Sequence, residues 1–293
     1  MNAANLLPIA LHEDTALFRE ALRFTAAETG FIPRLIEKDY FCTLVLQHLC
    51  ERDATLTFKG GTCLAKVHAG FYRLSEDLDF SISMPIDSAR SARSRAADAF
   101  KAAVRAIPVM MRWFTIIEPA SGANGSKQYA AVVGYDSLLG ANRETIKIEV
   151  GLREPILTPT ETADARTLLL DPVRGGAMTQ SVQLHCISRT EAMAEKFRAA
   201  LTRRDIAIRD FYDIDHAVRN LGVDPLQPEL LGLIRMKVAV PDNGPVDTSE
   251  SRLLTLHQQL DAQLKPVLRH LDFRQFELDR VFDIVRAVAQ FMG

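Results

Sequence analysis

Phe58 to Phe80 reads FKGGTCLAKVHAGFYRLSEDLDF. A Gly-Gly-Thr turn, Gly60 to Thr62, precedes a helical stretch, and a short strand then carries Asp77 and Asp79 as a D-x-D pair. On an extended strand residues i and i+2 point to one side, so both carboxylates face a single solvent pocket while Leu78 and Phe80 face the core. Two carboxylates on one edge repel each other unless a cation neutralises them. Oxygen-rich sites of this kind suit Mg²⁺ or Mn²⁺, which keep some waters and take their remaining ligands from one or two carboxylates and substrate phosphates. Gly60 and Gly61 leave the backbone free to approach a phosphate. Thr62 offers a hydroxyl and an N–H where a helix begins and its dipole favours anions. Glycine pairs are common in turns and D-x-D pairs on solvated edges; together, in this order, they point to metal and phosphate chemistry.

Outward from this segment the pattern is mixed. Residues 15 to 28 and 34 to 50 carry helical apolar spacing, the second opened by Pro33. Strands are expected at 55 to 59 and 77 to 83, with helices at 62 to 69 and 88 to 107. Further strands are expected at 112 to 118, 128 to 135 and 144 to 150. Residues 151 to 180, rich in Pro, Thr and Gly, read as a connection before a last strand at 181 to 187. After Ser188, which can cap a helix, the pattern is helical: 188 to 202, 210 to 220, 226 to 238, 249 to 264 and 273 to 292. The expectation is an α+β chain: residues 1–187 form a small mixed sheet with flanking helices, and 188–293 a helical domain.

Composition sets the bounds. The chain has 293 residues, enough for two ordinary domains, and its 47% hydrophobic and 25% charged fractions are those of a globular protein. No stretch approaches the ~20 apolar residues of a spanning helix, and the N-terminus lacks a basic region followed by an apolar run. A cytoplasmic protein with no membrane association is expected. The four cysteines show no C-x-x-C spacing and read as reduced, mostly buried thiols. Net charge is −2, so the sum does not announce a nucleic-acid binder. Basic residues nevertheless crowd two segments, Arg90 to Arg105 and Arg189 to Arg209, either as solvated helix faces or as phosphate contacts. His48, His68, His185 and His216 lack H-x-x-x-H context and no serine sits in a G-x-S-x-G elbow, so neither zinc nor a serine triad is indicated.

In Thr145-Ile-Lys-Ile-Glu-Val150 the apolar residues alternate, so Lys147 and Glu149 share one face. Glu149 is a candidate third carboxylate, as metal ligand or proton acceptor; the alternative is an edge glutamate paired with Lys147. On the helix from Ser188, Met193, Phe197, Ala200 and Leu201 form the core stripe and leave Arg189, Lys196 and Arg203 on a common polar face. Arg73 either holds a triphosphate or pairs with Glu76 or Asp77. Lys59, Lys66 and Lys38 are further cationic candidates.

These blocks resemble nucleotidyltransferases of the DNA polymerase β superfamily, and within it the AbiEii toxin group of toxin–antitoxin and phage-defence systems. The resemblance rests on EKDYFCTLVLQHL (Glu37 to Leu49), FKGGT, RLSEDLDF, IKIEV (Ile146 to Val150), AEKFRAAL and RDFYD (Ala194 to Asp213), in that order. It implies transfer of NMP from an NTP, with Mg²⁺ or Mn²⁺ on Asp77 and Asp79 and a third acidic residue at Glu149, where aspartate is more usual. It implies that Lys196, supported by Asp210, reaches the nucleotide phosphates, and that Arg73 and Ser75 belong to the nucleotide-binding block with Gly60, Gly61 and Thr62. It further implies an RNA acceptor, most plausibly the tRNA 3′ end, and a cognate antitoxin. Rival readings are nucleotidyl transfer to a protein or small molecule, and a non-catalytic binding or antitoxin protein of the same fold.

Overall fold

In β5, Arg143–Gly151, Ile146, Ile148 and Val150 are fully buried while Lys147 is exposed, the period-two signature of a strand with one face in the core. The same alternation buries Tyr129, Ala131, Val133 and Tyr135 of β4, Gln128–Asp136. In the computed structural model, which describes residues 10–292, these strands join β1 (Thr57–Lys59), β2 (Leu78–Ser81), β3 (Phe114–Ala123), β6 (Glu161–Ala165) and β7 (Val182–Cys186). Their order in one seven-stranded sheet is β3-β4-β5-β2-β1-β7-β6. β3, β4 and β5 form an antiparallel meander; β5 runs parallel to β2, β2 antiparallel to β1, and β1 parallel to β7. The β2–β5 pairing joins segments far apart in sequence, and the D-x-D strand lies at its centre.

The chain up to Val67, Leu74–Pro155 and Thr162–Cys186 form one compact unit; His68–Arg73, Ile156–Glu161 and the chain from Ile187 onward form the second. The first holds α1 (Thr15–Thr29), α2 (Pro33–Arg52), the single turn α3 (Gly60–Cys63), α4 (Arg90–Ala96) and α5 (Asp98–Met110) with the sheet. The second holds α6 (Arg189–Thr202), α7 (Ile208–Asn220), α8 (Pro228–Val238), α9 (Glu250–Gln259), α10 (His270–Gln275) and α11 (Leu278–Met292). Pro33 opens α2 as its missing N–H permits, and the Ser188 hydroxyl caps α6 by accepting from the Glu191 N–H at 3.2 Å.

Several expectations differ from the structure, among them the strand expected from Asp77, which begins at Leu78. The helix expected at 88 to 107 is two helices separated at Ala97. The presumed connection at 151 to 180 contains β6, whose sequence ETADA has little β-branched or aromatic content to reveal it. The last expected helix begins as α10 and, after Phe276 and Glu277, restarts as α11. The reading of the extreme N-terminus concerns residues 1–9 and lies outside the described residues.

α2 is unusual in burying charge. Glu37 accepts from the Ser137 hydroxyl at 2.6 Å and the Leu138 N–H at 2.7 Å, which fastens the turn between β4 and β5. Asp39 receives Lys66 Nζ at 2.6 Å and both the Thr167 hydroxyl and the Leu168 N–H at 2.9 Å. Lys66, 1% exposed, is thus a structural cation rather than a phosphate ligand.

Near the start of the described chain His12 packs its ring against Trp113, Phe41 and Tyr40, and its Nδ1 lies 3.0 Å from the Tyr40 hydroxyl. Burial disfavours the imidazolium and, despite Glu13 and with help from Arg112, lowers the pKa to about 4. The unfolded chain takes up this proton near pH 6.5 and the folded chain only near 4, so stability falls as pH drops through that window. The expected loss is about 3 kcal/mol by pH 4. Urea unfolding from pH 7 to 4 should show it in the wild type and lack that part in His12→Phe; parallel pH profiles would contradict it.

Candidate active site

The ladder dictates which side chains share a face. Lys59 is paired with Asp79 and Asp79 with Glu149, so one cross-strand row carries Lys59, Asp79 and Glu149. The adjacent row, Phe58, Phe80 and Val150, points the other way into the core, where the Phe58 and Phe80 rings lie 5.4 Å apart. Glu149 is therefore on an interior strand, between β4 and β2, and beside Asp79. Its Oε1 accepts from Gln128 Nε2 at 2.8 Å and meets Lys147 Nζ at 2.9 Å. Hydrogen bonding to Glu149 raises the Lys147 pKa, and the charges of Glu149, Asp77 and Asp79 add to it, so this face gathers negative potential.

Asp77 stands just outside the ladder, which begins at Leu78. Its carbonyl accepts a hydrogen bond from the Thr62 hydroxyl. The hydroxyl expected to face a phosphate is thus used to tie α3 to the acidic segment. Ser75, half-buried, lies two residues earlier. Gly60 adopts φ 76°, and a Cβ built there would run into the Asp79 carboxylate and lie 2.8 Å from Asp79 Cβ. The glycine is required by the approach of Asp79 as much as by any ligand. Lys59 has Glu154 at 3.7 Å, and Lys38 Nζ is 2.6 Å from Glu76 Oε2.

The other expected site residues lie in the helical unit. Lys196, 13% exposed, sits 2.8 Å from Asp210 Oδ1 and 2.7 Å from Asp213 Oδ2. Arg203 also reaches Asp210, at 3.4 Å. The polar face of α6 is therefore not a continuous basic line, because two aspartates of α7 neutralise its middle. Arg73 is 2% exposed, with Nη2 2.8 Å from Asp213 Oδ2, and Tyr72 donates its hydroxyl to the same carboxylate. This corrects the triphosphate expectation for Arg73: its guanidinium is buried on an aspartate. Burial opposes both charges, yet Arg73 and Lys196 hold Asp213 well below the ordinary carboxylate range, and Asp210 and Asp213 raise Lys196.

Asp213 is the residue the sequence reading passed over. It lies three positions after Asp210, which on a helix means the same face, and that spacing is the signal that would have found it. Gln128 and Glu76 carried no such signal, since their partners come from distant segments.

Two substitutions test these arrangements. Asp213→Asn leaves Arg73 and Lys196 without their shared anion and should cost about 3–5 kcal/mol in chemical unfolding at pH 7. Because the folded pKa of Asp213 is depressed, its contribution is present above about pH 4 and lost on acidification, so wild type and variant should converge in acid. Gly60→Ala meets both the positive φ and the Asp79 side chain, and a loss of at least about 1–3 kcal/mol is expected; an unchanged unfolding midpoint would refute the close approach.

The structure is similar to MenT4, a nucleotidyltransferase toxin from Mycobacterium tuberculosis H37Rv, with a TM-score of 0.55 and 20% identity over 94% of this chain and 89% of that one. It also matches JHP933 from Helicobacter pylori at a TM-score of 0.46 and 15% identity, over 89% of this chain and 93% of that one. Comparison with curated protein sequences finds no match. The family model described as nucleotidyl transferase AbiEii toxin, type IV toxin–antitoxin system, matches residues 45–284, most of the chain including the D-x-D strand, Glu149 and the Lys196 network. On that match the protein belongs to the AbiEii family of nucleotidyltransferase toxins.

Proposed function

We propose that this nucleotidyltransferase transfers NMP from an NTP to an RNA hydroxyl at the tRNA 3′ end, as the growth-arresting toxin of a pair with a cognate antitoxin, acting in the cytoplasm. The observation that carries the reading is the row Lys59–Asp79–Glu149, with Asp77 beside it and the Gly-Gly-Thr turn against Asp79. No helix among the described residues is long and apolar enough to cross a membrane.

The donor set fits a hard divalent cation, Mg²⁺ or Mn²⁺. It offers only carboxylate oxygens, and Gly60 keeps the space at Asp79 clear where a Cβ would fill it. Asp77 and Asp79 would hold the metal, with Glu149 as third ligand or as proton acceptor. When bound, the cation supplies charge neutralisation for the triphosphate and the leaving pyrophosphate.

The chain's own residues do the rest. The Gly60–Gly61–Thr62 turn would hold the β and γ phosphates. In the helical unit, Asp210 and Asp213 take two of the three N–H donors of the Lys196 ammonium and so fix its orientation. The acceptor hydroxyl forms a bond to the α-phosphorus, the bond to the bridging oxygen breaks, and pyrophosphate departs. The acceptor's proton passes to Glu149, whose carboxylate is oriented by Gln128 and Lys147. Arg189 and Arg203 of the helical unit approach the RNA backbone, a contact that weakens with salt.

The test is label transfer from each α-labelled NTP into total bacterial RNA with Mg²⁺, wild type beside Asp79→Ala. Label in a tRNA-sized band from the wild type, reduced at least about a thousandfold in the variant, is expected. Label in protein or a small metabolite would keep the chemistry and replace the acceptor. No label from the wild type in any fraction would favour a non-catalytic binding protein.

A further inference from the structure

Asp79 is fixed by the ladder on both sides, but Asp77 lies one residue before β2 and is outside it. Its position depends on what holds the segment leading into the strand. From one side the Thr62 hydroxyl holds the Asp77 carbonyl. From the other, α2 grips the preceding residue: Lys38 Nζ lies 2.6 Å from Glu76 Oε2, Arg34 Nη2 lies 3.4 Å from the same oxygen, and the Cys42 thiol points at the Glu76 carbonyl at 3.8 Å. Arg34 is itself fixed to Glu144 of β5, through Nε at 2.6 Å and Nη2 at 2.8 Å. α2 thus links the strand that carries Glu149 to the segment that carries Asp77.

We infer that Lys38 is a positioning residue for the metal site: through Glu76 it sets the Asp77 carboxylate against Asp79. The inference rests on the proposed metal role of Asp77 and Asp79. Lys38 is the natural agent because its side chain is only 8% exposed, so its charge meets little screening, whereas that of Arg34 is 47% exposed. Glu76 also faces away from the task of ligation, since its carboxylate already holds two cationic side chains. Residues that orient metal ligands in this way typically change metal affinity by about 10–100-fold when removed.

The decisive measurement is Mn²⁺ binding by the full chain without nucleotide, read as loss of the free-ion electron paramagnetic resonance signal. It compares wild type, Lys38→Met, Lys38→Arg, Glu76→Gln and Asp77→Asn. The proposal expects the dissociation constant to rise about 10–100-fold in Lys38→Met and in Glu76→Gln, and Lys38→Arg to stay within about threefold of wild type. Near-ultraviolet circular dichroism establishes that each variant is folded. Should Lys38→Met not fold, Glu76→Gln, which keeps the lysine and the shape of the side chain, carries the same expectation. Wild-type binding that Lys38→Met or Glu76→Gln leaves unchanged overturns the positioning role alone. A wild type with no saturable Mn²⁺ site, or one matched by Asp77→Asn, overturns the metal reading and the positioning role with it.

Discussion

The buried charges of α2 are the constraint on which the sheet unit depends. Glu37, Lys38 and Asp39 are consecutive, and a helix turns each about 100° from the last, so one short segment sends three charges toward three different parts of the unit. Each meets its own partner: the β4–β5 turn, the residue before Asp77, and the buried Lys66 with residues 167 and 168. Such pairs add little net stability over an apolar packing of equal volume, because desolvation offsets the Coulomb attraction. Their effect is geometric. An apolar contact tolerates sliding, whereas a buried carboxylate with three donors has few acceptable positions, and the helix following Gly-Gly-Thr is held by that means.

The carboxylate face has the opposite character. The core face beneath it is filled by Phe58, Leu78, Phe80, Ile148 and Val150, all essentially inaccessible, so the strands cannot rotate to relieve repulsion between the acids above. A one-residue slip of β2 against β5 would exchange Asp79 with Phe80 on that face. Apolar burial on one side therefore enforces charge proximity on the other.

Much of this was legible in the sequence. The alternation in IKIEV gave the correct faces of Ile146 to Val150, because strand periodicity is local information, whereas of the D-x-D pair expected on one strand only Asp79 lies within it. The adjacency of β2 and β5 was available only through the resemblance, since no local pattern specifies which strands pair. The α6 polar face illustrates the limit. Seven-residue spacing groups Arg189, Lys196 and Arg203, but α6 ends at Thr202, and spacing along one helix says nothing of the carboxylates that α7 sets against it, which bury Lys196 rather than leaving it solvated. β6 escaped for a different reason: an edge strand of five residues with polar and small side chains carries almost no propensity signal.

The charges around the row bear on the choice of glutamate at position 149. Lys59 Nζ lies 3.7 Å from Glu154 and Lys147 Nζ lies 2.9 Å from Glu149, so each of these lysines meets a glutamate. A carboxylate at 149 one methylene shorter would reach less far along the sheet toward Gln128 and Lys147. The glutamate spans that distance while its backbone stays in register with Asp79, and its orientation is fixed by two donors before any ligand arrives. A carboxylate held by two donors keeps one orientation, which is the advantage preorganised polar groups have over mobile ones. The departure from aspartate thus belongs with Gln128 and Lys147, and the three side chains are best regarded as one unit of the site.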